Sequence, residues 1–186
     1  NVALLDVASL HPHSAIALNA FGVFTKNFKD LVDTRVLIKH GEFEKAAQLF
    51  GGKLKKYLTD PKQAKKLSKA LKIAINSVYG LTSATFPNKF KDPRNENNII
   101  ALRGALFMKT LQDLVVERGF KVAHIKTDSI KIPDATPAII KFCMDFAKKY
   151  GYEFEHEATY ERMCLVNDAV YIAKYMTKEQ CIQMYG

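Results

Sequence analysis

The apolar and polar positions of the chain follow two different periods. A short apolar run over residues 2–7 predicts a buried strand that delivers one carboxylate, Asp6, to an edge. Residues 29–50 have the 3.6-residue period of a helix, with an interruption at Gly41. Gly51 and Gly52 then break the pattern, so we expect the helix to end there.

A second helix is predicted from residue 61 to a stop at Gly80. Asp60 is the expected N-cap, Pro61 occupies the first helical position, and Gln63 completes an arrangement like a capping box. One face of this helix is apolar and predicted to pack (Ala64, Leu67, Leu71, Ala74, Ile75 and Val78). The opposite face is basic (Lys62, Lys65, Lys66, Lys69 and Lys72). Residues 29–80 should therefore form a helical hairpin with a lysine-rich tip (Lys53, Lys55 and Lys56).

The remaining segments alternate between helix and strand. Helices are predicted over residues 99–118, closed by Gly119, and from Thr136-Pro137 to Gly151. Strands are predicted over residues 122–125, 129–132, 152–156 and 163–173, with turns near 126–128 and 167–168.

Without the helical hairpin, the order is strand, helix, strand, strand, helix, strand. This order predicts an α+β fold with a ferredoxin-like antiparallel sheet and helices on one face. The hairpin is then an insertion, which divides the chain into residues 1–28, 29–80 and 81–186.

Composition adds a preference for anionic partners. The chain has 186 residues, 48% of them apolar, and a formal charge of +9. The three cysteines, Cys143, Cys164 and Cys181, are expected to be reduced in a cytoplasmic compartment. No apolar run is long enough to span a membrane, so no membrane partner is expected.

Lys72, Asn76 and Tyr79 are spaced four and three residues apart on the second helix of the hairpin. This spacing places a cation, an amide and a phenol in one row, which suits a ligand with phosphates, a sugar and a base. Taken alone, the lysines are as consistent with an ordinary solvated helix face.

Asp6 and Asp128 can converge at one end of the predicted sheet, because their strands are neighbours in that topology. Two adjacent carboxylates repel each other and attract divalent metal. Mg²⁺ is usually held by one or two carboxylates together with substrate phosphates. Either aspartate alone would more often be a turn or cap residue.

Three motifs, in order, resemble those of family B DNA polymerases, particularly phage-encoded members. Asp6-Val-Ala-Ser-Leu-His-Pro12 is similar to the family's Asp-x-x-Ser-Leu-Tyr-Pro motif. Lys72-x-x-x-Asn-Ser-x-Tyr-Gly80 matches its fingers-helix motif. Lys126-Thr-Asp-Ser129 resembles its Asp-Thr-Asp-Ser motif, so the resemblance covers nearly the whole chain.

The resemblance implies a palm and fingers that transfer a nucleotide from a dNTP to a primer 3′-hydroxyl on template DNA. Asp6 and Asp128 take the positions of the metal-binding aspartates, with the backbone of Val7 beside two Mg²⁺ ions, for which Mn²⁺ can substitute. Nucleotide-binding positions, counting the backbone at Leu10, are Leu10, His11, Arg35, Lys39, Lys72, Asn76 and Tyr79. The host cell cytoplasm is the location that a phage origin would imply.

The sequence departs from the family pattern at four places. Lys126 replaces the first aspartate of the Asp-Thr-Asp triplet, which puts full activity in doubt. His11 replaces the tyrosine that excludes a 2′-hydroxyl, and His13 stands where serine is common. Of the segment that holds the primer terminus, only Tyr171 is clearly retained.

Two other functions stay open. A polymerase-derived module that binds nucleic acid without turnover is favoured by Lys126. A metal-dependent nuclease could use Asp6 and Asp128 but gives no reason for the Lys72 row. The chain starts within a strand and without Met, so we expect a fragment whose exonuclease and thumb domains lie outside it.

Overall fold

The computed structural model describes residues 1–185, and their side chains except those of residues 96 and 183–185. The described chain is α+β, as the sequence predicts. Its strands are β1 (Val2–Val7), β2 (His124–Lys126), β3 (Ser129–Pro133), β4 (Phe154–Leu165) and β5 (Tyr171–Tyr175). Its α-helices are α1 (Leu10–Ala17), α2 (Thr25–Lys39), α3 (Phe43–Gln48), α4 (Pro61–Leu81), α5 (Ile99–Glu117), α6 (Pro137–Lys149) and α7 (Lys178–Tyr185).

The chain folds into two compact units. Residues 1–10 and the chain from Arg103 onward form the first, which we call the sheet unit. Residues 11–102 form the second, the helical unit, which contains the predicted hairpin 29–80 together with flanking segments.

The five strands of the sheet unit form one antiparallel sheet in the order β2-β3-β1-β4-β5. The first strand, β1, is therefore central, between two strands that follow more than a hundred residues later. Asp6 lies opposite Ser129 on β3 and opposite Glu155 on β4. These pairings place a carboxylate in the middle of the sheet near the end of β1.

The two faces of the sheet are different because side chains alternate along a strand. Leu5 and Val7 of β1 point into the main core, which α5 and α6 complete. Val2 and Leu4 point to the other side and pack against Tyr160. Asp6 shares this second face by alternation, so α5 and α6 cover one face and leave the carboxylate on the other.

The long strand β4 corrects the prediction of two separate runs over 152–156 and 163–173. It is continuous over Phe154–Leu165, and only its last residues and β5 form the second hairpin. A β-bulge explains the error. The partner in β4 jumps from Ala158 to His156 between Leu4 and Leu5, which leaves Glu157 as an extra residue. The extra residue interrupts the period of two on which the prediction relied.

In the helical unit, α2 and α4 pack together around a core that includes Val32, Leu71 and Ile75. The first predicted helix is divided into α2 and α3, and Gly41 between them has a φ of +76°. The side chain of Asp60 accepts a hydrogen bond from the backbone N–H of Gln63 at 3.0 Å, which confirms the predicted N-cap. The helix α4 continues one residue beyond Gly80, and Ala74 is exposed rather than packed.

A buried polar network orders the segment after α4. Asn95 is 1% exposed and donates a hydrogen bond to the hydroxyl of Thr82 at 2.7 Å. Asp92 accepts hydrogen bonds from Arg94, whose guanidinium lowers the pKa of the Asp92 carboxyl. The Thr82 hydroxyl and the Asn95 amide therefore satisfy each other's hydrogen-bonding needs, in a segment that the sequence predicts only as a polar loop.

Candidate active site

The two aspartates lie at neighbouring positions of the sheet unit, one on β1 and one in the turn that precedes β3. Asp6 is the fifth residue of β1, and Asp128 is the turn residue immediately before β3. The backbone N–H of Val7 donates a hydrogen bond to the carbonyl of Asp128 at 2.7 Å, which ties the two segments together. Both aspartates are half-buried. Register therefore brings together the backbones of two aspartates that are 122 residues apart in sequence.

Both aspartates are near a residue with left-handed backbone. Ser9, three residues after Asp6, has a φ of +58°, and Thr127, directly before Asp128, has a φ of +47°. A residue other than glycine adopts this conformation at a cost of roughly 1–2 kcal/mol, and such residues concentrate at functional sites. The tight turn at Thr127 also brings the N–H of Asp128 within 2.6 Å of the carbonyl of Lys126.

Leu10 is fixed by close packing against α5. Its side chain is 3% exposed and belongs to the main core of the sheet unit. A Cβ atom added to Gly104 would lie 3.0 Å from Leu10 Cδ2, so the glycine permits this approach. Any contact between Leu10 and a nucleotide would therefore be made by its backbone. Val7 has a buried aliphatic side chain without a donor atom, so its backbone carbonyl is its only possible metal ligand.

A buried cation accompanies the two carboxylates. Lys131 is 1% exposed, and its ammonium group donates a hydrogen bond to Ser129 Oγ at 2.6 Å. Burial lowers the pKa of Lys131, the negative charges of Asp6, Asp128 and Glu157 oppose this shift, and the positive charge of Lys126 reinforces it. Both aspartates are thus close enough to act on one ammonium group.

The β4–β5 connection covers this region from the opposite edge of the sheet. Lys126 donates a hydrogen bond from Nζ to the carbonyl of Ala169 at 2.9 Å, and His124 Nε2 lies 2.9 Å from the carbonyl of Asp168. The ring of Tyr171 lies over Lys131, with its centroid 5.0 Å from Nζ. The sheet is therefore curled, and its two edges meet over the buried lysine.

Sequence reasoning missed three charged residues here: Lys131, Glu155 and Glu157. The alternation of Ser129 and Lys131 with two buried isoleucines carried a signal, because it places Lys131 on the polar face. Glu155 faces Asp6 only through the register of β4, and Glu157 arises from the bulge. Neither could be found without the long-range strand pairing.

The donor chemistry at Asp6 and Asp128 fits Mg²⁺ or Mn²⁺, which prefer carboxylate and carbonyl oxygen. The ligand set is small. Over the described residues, no group of three or more His, Cys, Asp and Glu side chains is arranged to hold a metal. A metal at this pair would therefore need further oxygen ligands from backbone or substrate.

The other predicted residues all belong to the helical unit. Lys72 and Asn76 are exposed along α4, and Tyr79 is half-buried one turn further. Burial raises the pKa of the Tyr79 phenol, which therefore stays a hydrogen-bond donor. Arg35 and Lys39 lie one turn apart on α2, the first half-buried and the second exposed.

His11 and Tyr79 form a stacked pair. Their ring centroids are 5.4 Å apart, and the ring planes differ by 2°. Within the described part of the chain, the buried His11 Nδ1 atom has no hydrogen-bond partner. The pair thus holds two aromatic rings parallel, with a buried polar ring atom beside them.

Comparison with known proteins adds no family. The sequence matches no protein-family model, and it matches none of the curated proteins against which it was compared. Among the described residues, no helix has both the length and the apolar character needed to cross a membrane. Any assignment of function therefore depends on the motifs and on the geometry above.

Proposed function

We propose that the chain is the palm and fingers of a family B-like DNA polymerase. The observation that carries this proposal is the adjacency of Asp6 on β1 and Asp128 in the turn before β3. The three motifs pair these aspartates with the row of Lys72, Asn76 and Tyr79 on α4. A sheet with the order β2-β3-β1-β4 is also the order of a ferredoxin-like palm, and α5 and α6 cover one of its faces.

In this proposal, the sheet unit holds the divalent ions and the primer end. Asp6, Asp128 and the backbone carbonyl of Val7 would hold Mg²⁺, which when bound activates the 3′-hydroxyl and stabilises the pyrophosphate leaving group. The half-burial of both carboxylates supports this role, because charges there are screened less than at an open surface.

The helical unit would bind the incoming nucleotide. Lys72 and the pair of Arg35 and Lys39 supply cations for a triphosphate, and Asn76 supplies an amide. The stacked rings of His11 and Tyr79 supply an apolar surface for the sugar and the base. Catalysis by this set is positioning and charge stabilisation and includes no covalent intermediate.

The test is incorporation of a single labelled dNTP into a primed template, with Mg²⁺ or Mn²⁺. We expect incorporation of the complementary dNTP alone, and its loss in Asp6→Asn. Asp134→Asn is the matched control, since Asp134 is in the same unit and its side chain is 89% exposed. Incorporation that ignores the template base, or that survives Asp6→Asn, would refute the proposal.

A second candidate is a nucleic-acid-binding module without turnover. Lys126 and Lys131 favour it, because they place two positive charges beside the carboxylate pair. This module would bind DNA through its exposed lysines and show no dependence on divalent metal. DNA binding without any metal-dependent dNTP binding would therefore select it over the polymerase.

A further inference from the structure

The proposed chemistry gives no role to the most deeply buried charge in the sheet unit. Lys131 is 1% exposed, whereas lysine is almost never fully buried unless it is paired. Burying an ammonium group costs several kcal/mol unless nearby groups compensate for the lost water. The surroundings of Lys131 should therefore reveal what the charge does.

Strand pairing, one hydrogen bond and one aromatic ring together fix the position of the ammonium group. The backbone of Lys131 pairs with Leu4 on one side and His124 on the other. Its Nζ atom reaches along the strand to Ser129 Oγ, and Ser129 is the residue opposite Asp6. The ring of Tyr171 covers the group from above. The ammonium is thus held at the level of Asp6, under the curled edge of the sheet.

The local charges are of both signs. Asp6, Asp128 and Glu157 act on Lys131 as negative charges, and Lys126 acts as a positive one. Glu155, opposite Asp6 on β4, adds a further negative charge, so with both lysines charged the six groups sum to −2. The carboxylates therefore already have a resident cation, and a divalent ion that enters must overcome its repulsion.

We infer that Lys131 is a resident counter-charge of the Asp6–Asp128 pair and lowers the affinity of this pair for divalent metal. The consequence of this role for nucleotide binding rests on the proposed function. Metal would then bind well only when a nucleotide triphosphate contributes additional oxygen ligands and negative charge. Lys131 would thereby couple metal loading to substrate binding and limit metal occupancy in the free protein.

The test is a Mn²⁺ titration of the 186-residue chain, followed by electron paramagnetic resonance without nucleotide. We expect Lys131→Met to bind Mn²⁺ about tenfold more tightly, because a buried charge is screened weakly and each 1.4 kcal/mol is tenfold. Lys131→Arg keeps the charge and should bind as the unmodified chain does. Lys126→Met removes an exposed cation and should have a smaller effect, since solvent screens it.

A gain in affinity that requires Asp6 separates a charge effect from damage to the fold, because a damaged chain would bind Mn²⁺ at its other carboxylates as well. Unchanged or weaker Mn²⁺ binding by a folded Lys131→Met variant would overturn the inference. If Lys131→Met does not fold, Lys131→Gln serves instead, because it also removes the charge and keeps a polar group that can hydrogen-bond Ser129 Oγ. Tighter Mn²⁺ binding by Lys131→Gln than by Lys131→Arg supports the inference, and equal binding by the two variants overturns it.

The same titration distinguishes this inference from the proposed function. Adding Asp6→Asn to Lys131→Met should abolish the gain, which locates the metal at the carboxylate pair. If the gain persists in the double variant, the metal lies elsewhere and the inference fails. A Lys131 effect that is present in a chain that never incorporates dNTPs would refute the polymerase and leave the counter-charge role in place.

Discussion

The two units of the chain organise charge in opposite ways. In the sheet unit, Asp6, Asp128 and Lys131 are buried or half-buried, and strand register assembles them from distant parts of the chain. In the helical unit, Lys65, Lys66 and Lys69 are exposed and are placed by the period of a single helix. The difference predicts different chemistry, since buried charges act strongly on one site and exposed lysines act weakly on an extended anion.

The largest effect should follow from breaking the carboxylate pair. We expect Asp128→Asn to reduce kcat for incorporation by about a thousandfold or more, because metal charge stabilisation supplies several kcal/mol. The KM for dNTP should rise as well, because metal loading and nucleotide binding are coupled in this proposal and such coupling is reciprocal. Single-turnover kinetics with Mg²⁺ measures both values, and Asp134→Asn is again the control. Retained turnover would remove Asp128 from the site.

How much of this site could be predicted depends on the unit. The capped helix α4 and its basic face follow from Asp60, Pro61 and a regular period, and all of these are local. The structure places Asp6 and Asp128 as neighbours. Predicting this required the order of the strands in the sheet as well as the strands themselves. The local hydrophobic pattern could not predict the role of Glu155, because it does not contain the strand register that places Glu155 opposite Asp6.

The strand β4 shows a second physical limit. A bulge at Glu157 shifts the alternation by one residue, so one continuous strand looks like two short ones. The curl that brings Ala169 to Lys126 joins residues 43 positions apart and has no local signature. The burial of Lys131 follows from this curl. The sequence around Lys131 therefore does not predict that this lysine is buried.

A medium effect should follow from removing one exposed cation of the helical unit. We expect Lys72→Ala to raise the KM for dNTP by about tenfold, which corresponds to about 1.4 kcal/mol of phosphate contact. DNA affinity should be little changed. Lys62→Ala, two residues from the N-cap on the same helix, is the matched control. A loss of DNA binding with unchanged dNTP kinetics would show that Lys72 contacts the duplex instead.

Matched N-cap substitutions compare the stability of the two units. Asp60 caps α4 through Gln63 N–H at 3.0 Å, and Thr136 caps α6 through Ile139 N–H at 3.4 Å. We expect Asp60→Ala to lower the free energy of unfolding of the helical unit by about 1 kcal/mol, and Thr136→Ala to have a smaller effect on the sheet unit. Hydrogen exchange reads each unit separately. Equal loss of protection in both units would mean that they unfold together.

The smallest effect expected for a single residue concerns binding of duplex DNA by the 186-residue chain. The lysines of α4 are exposed, so their contacts should be electrostatic, and log Kd should rise with log salt by about 0.9 for each phosphate neutralised. Lys65→Gln should lower this slope by about one contact and weaken binding equally for all sequences. Lys141→Gln is the control, because Lys141 is an exposed lysine of α6 in the sheet unit and pairs with Asp145.

Fluorescence anisotropy across a range of salt concentrations gives the slopes. A steep slope in the unmodified chain and a reduced one in Lys65→Gln would assign duplex contact to the basic face of α4. Tight binding that is flat from low to physiological salt would contradict this, because it requires a folded recognition surface in place of counterion release. Equal slopes for Lys65→Gln and Lys141→Gln would also contradict it, since the exposed lysines of the two units would then be equivalent. That result would contradict the contrast between a helical unit that binds phosphate and a sheet unit that concentrates charge.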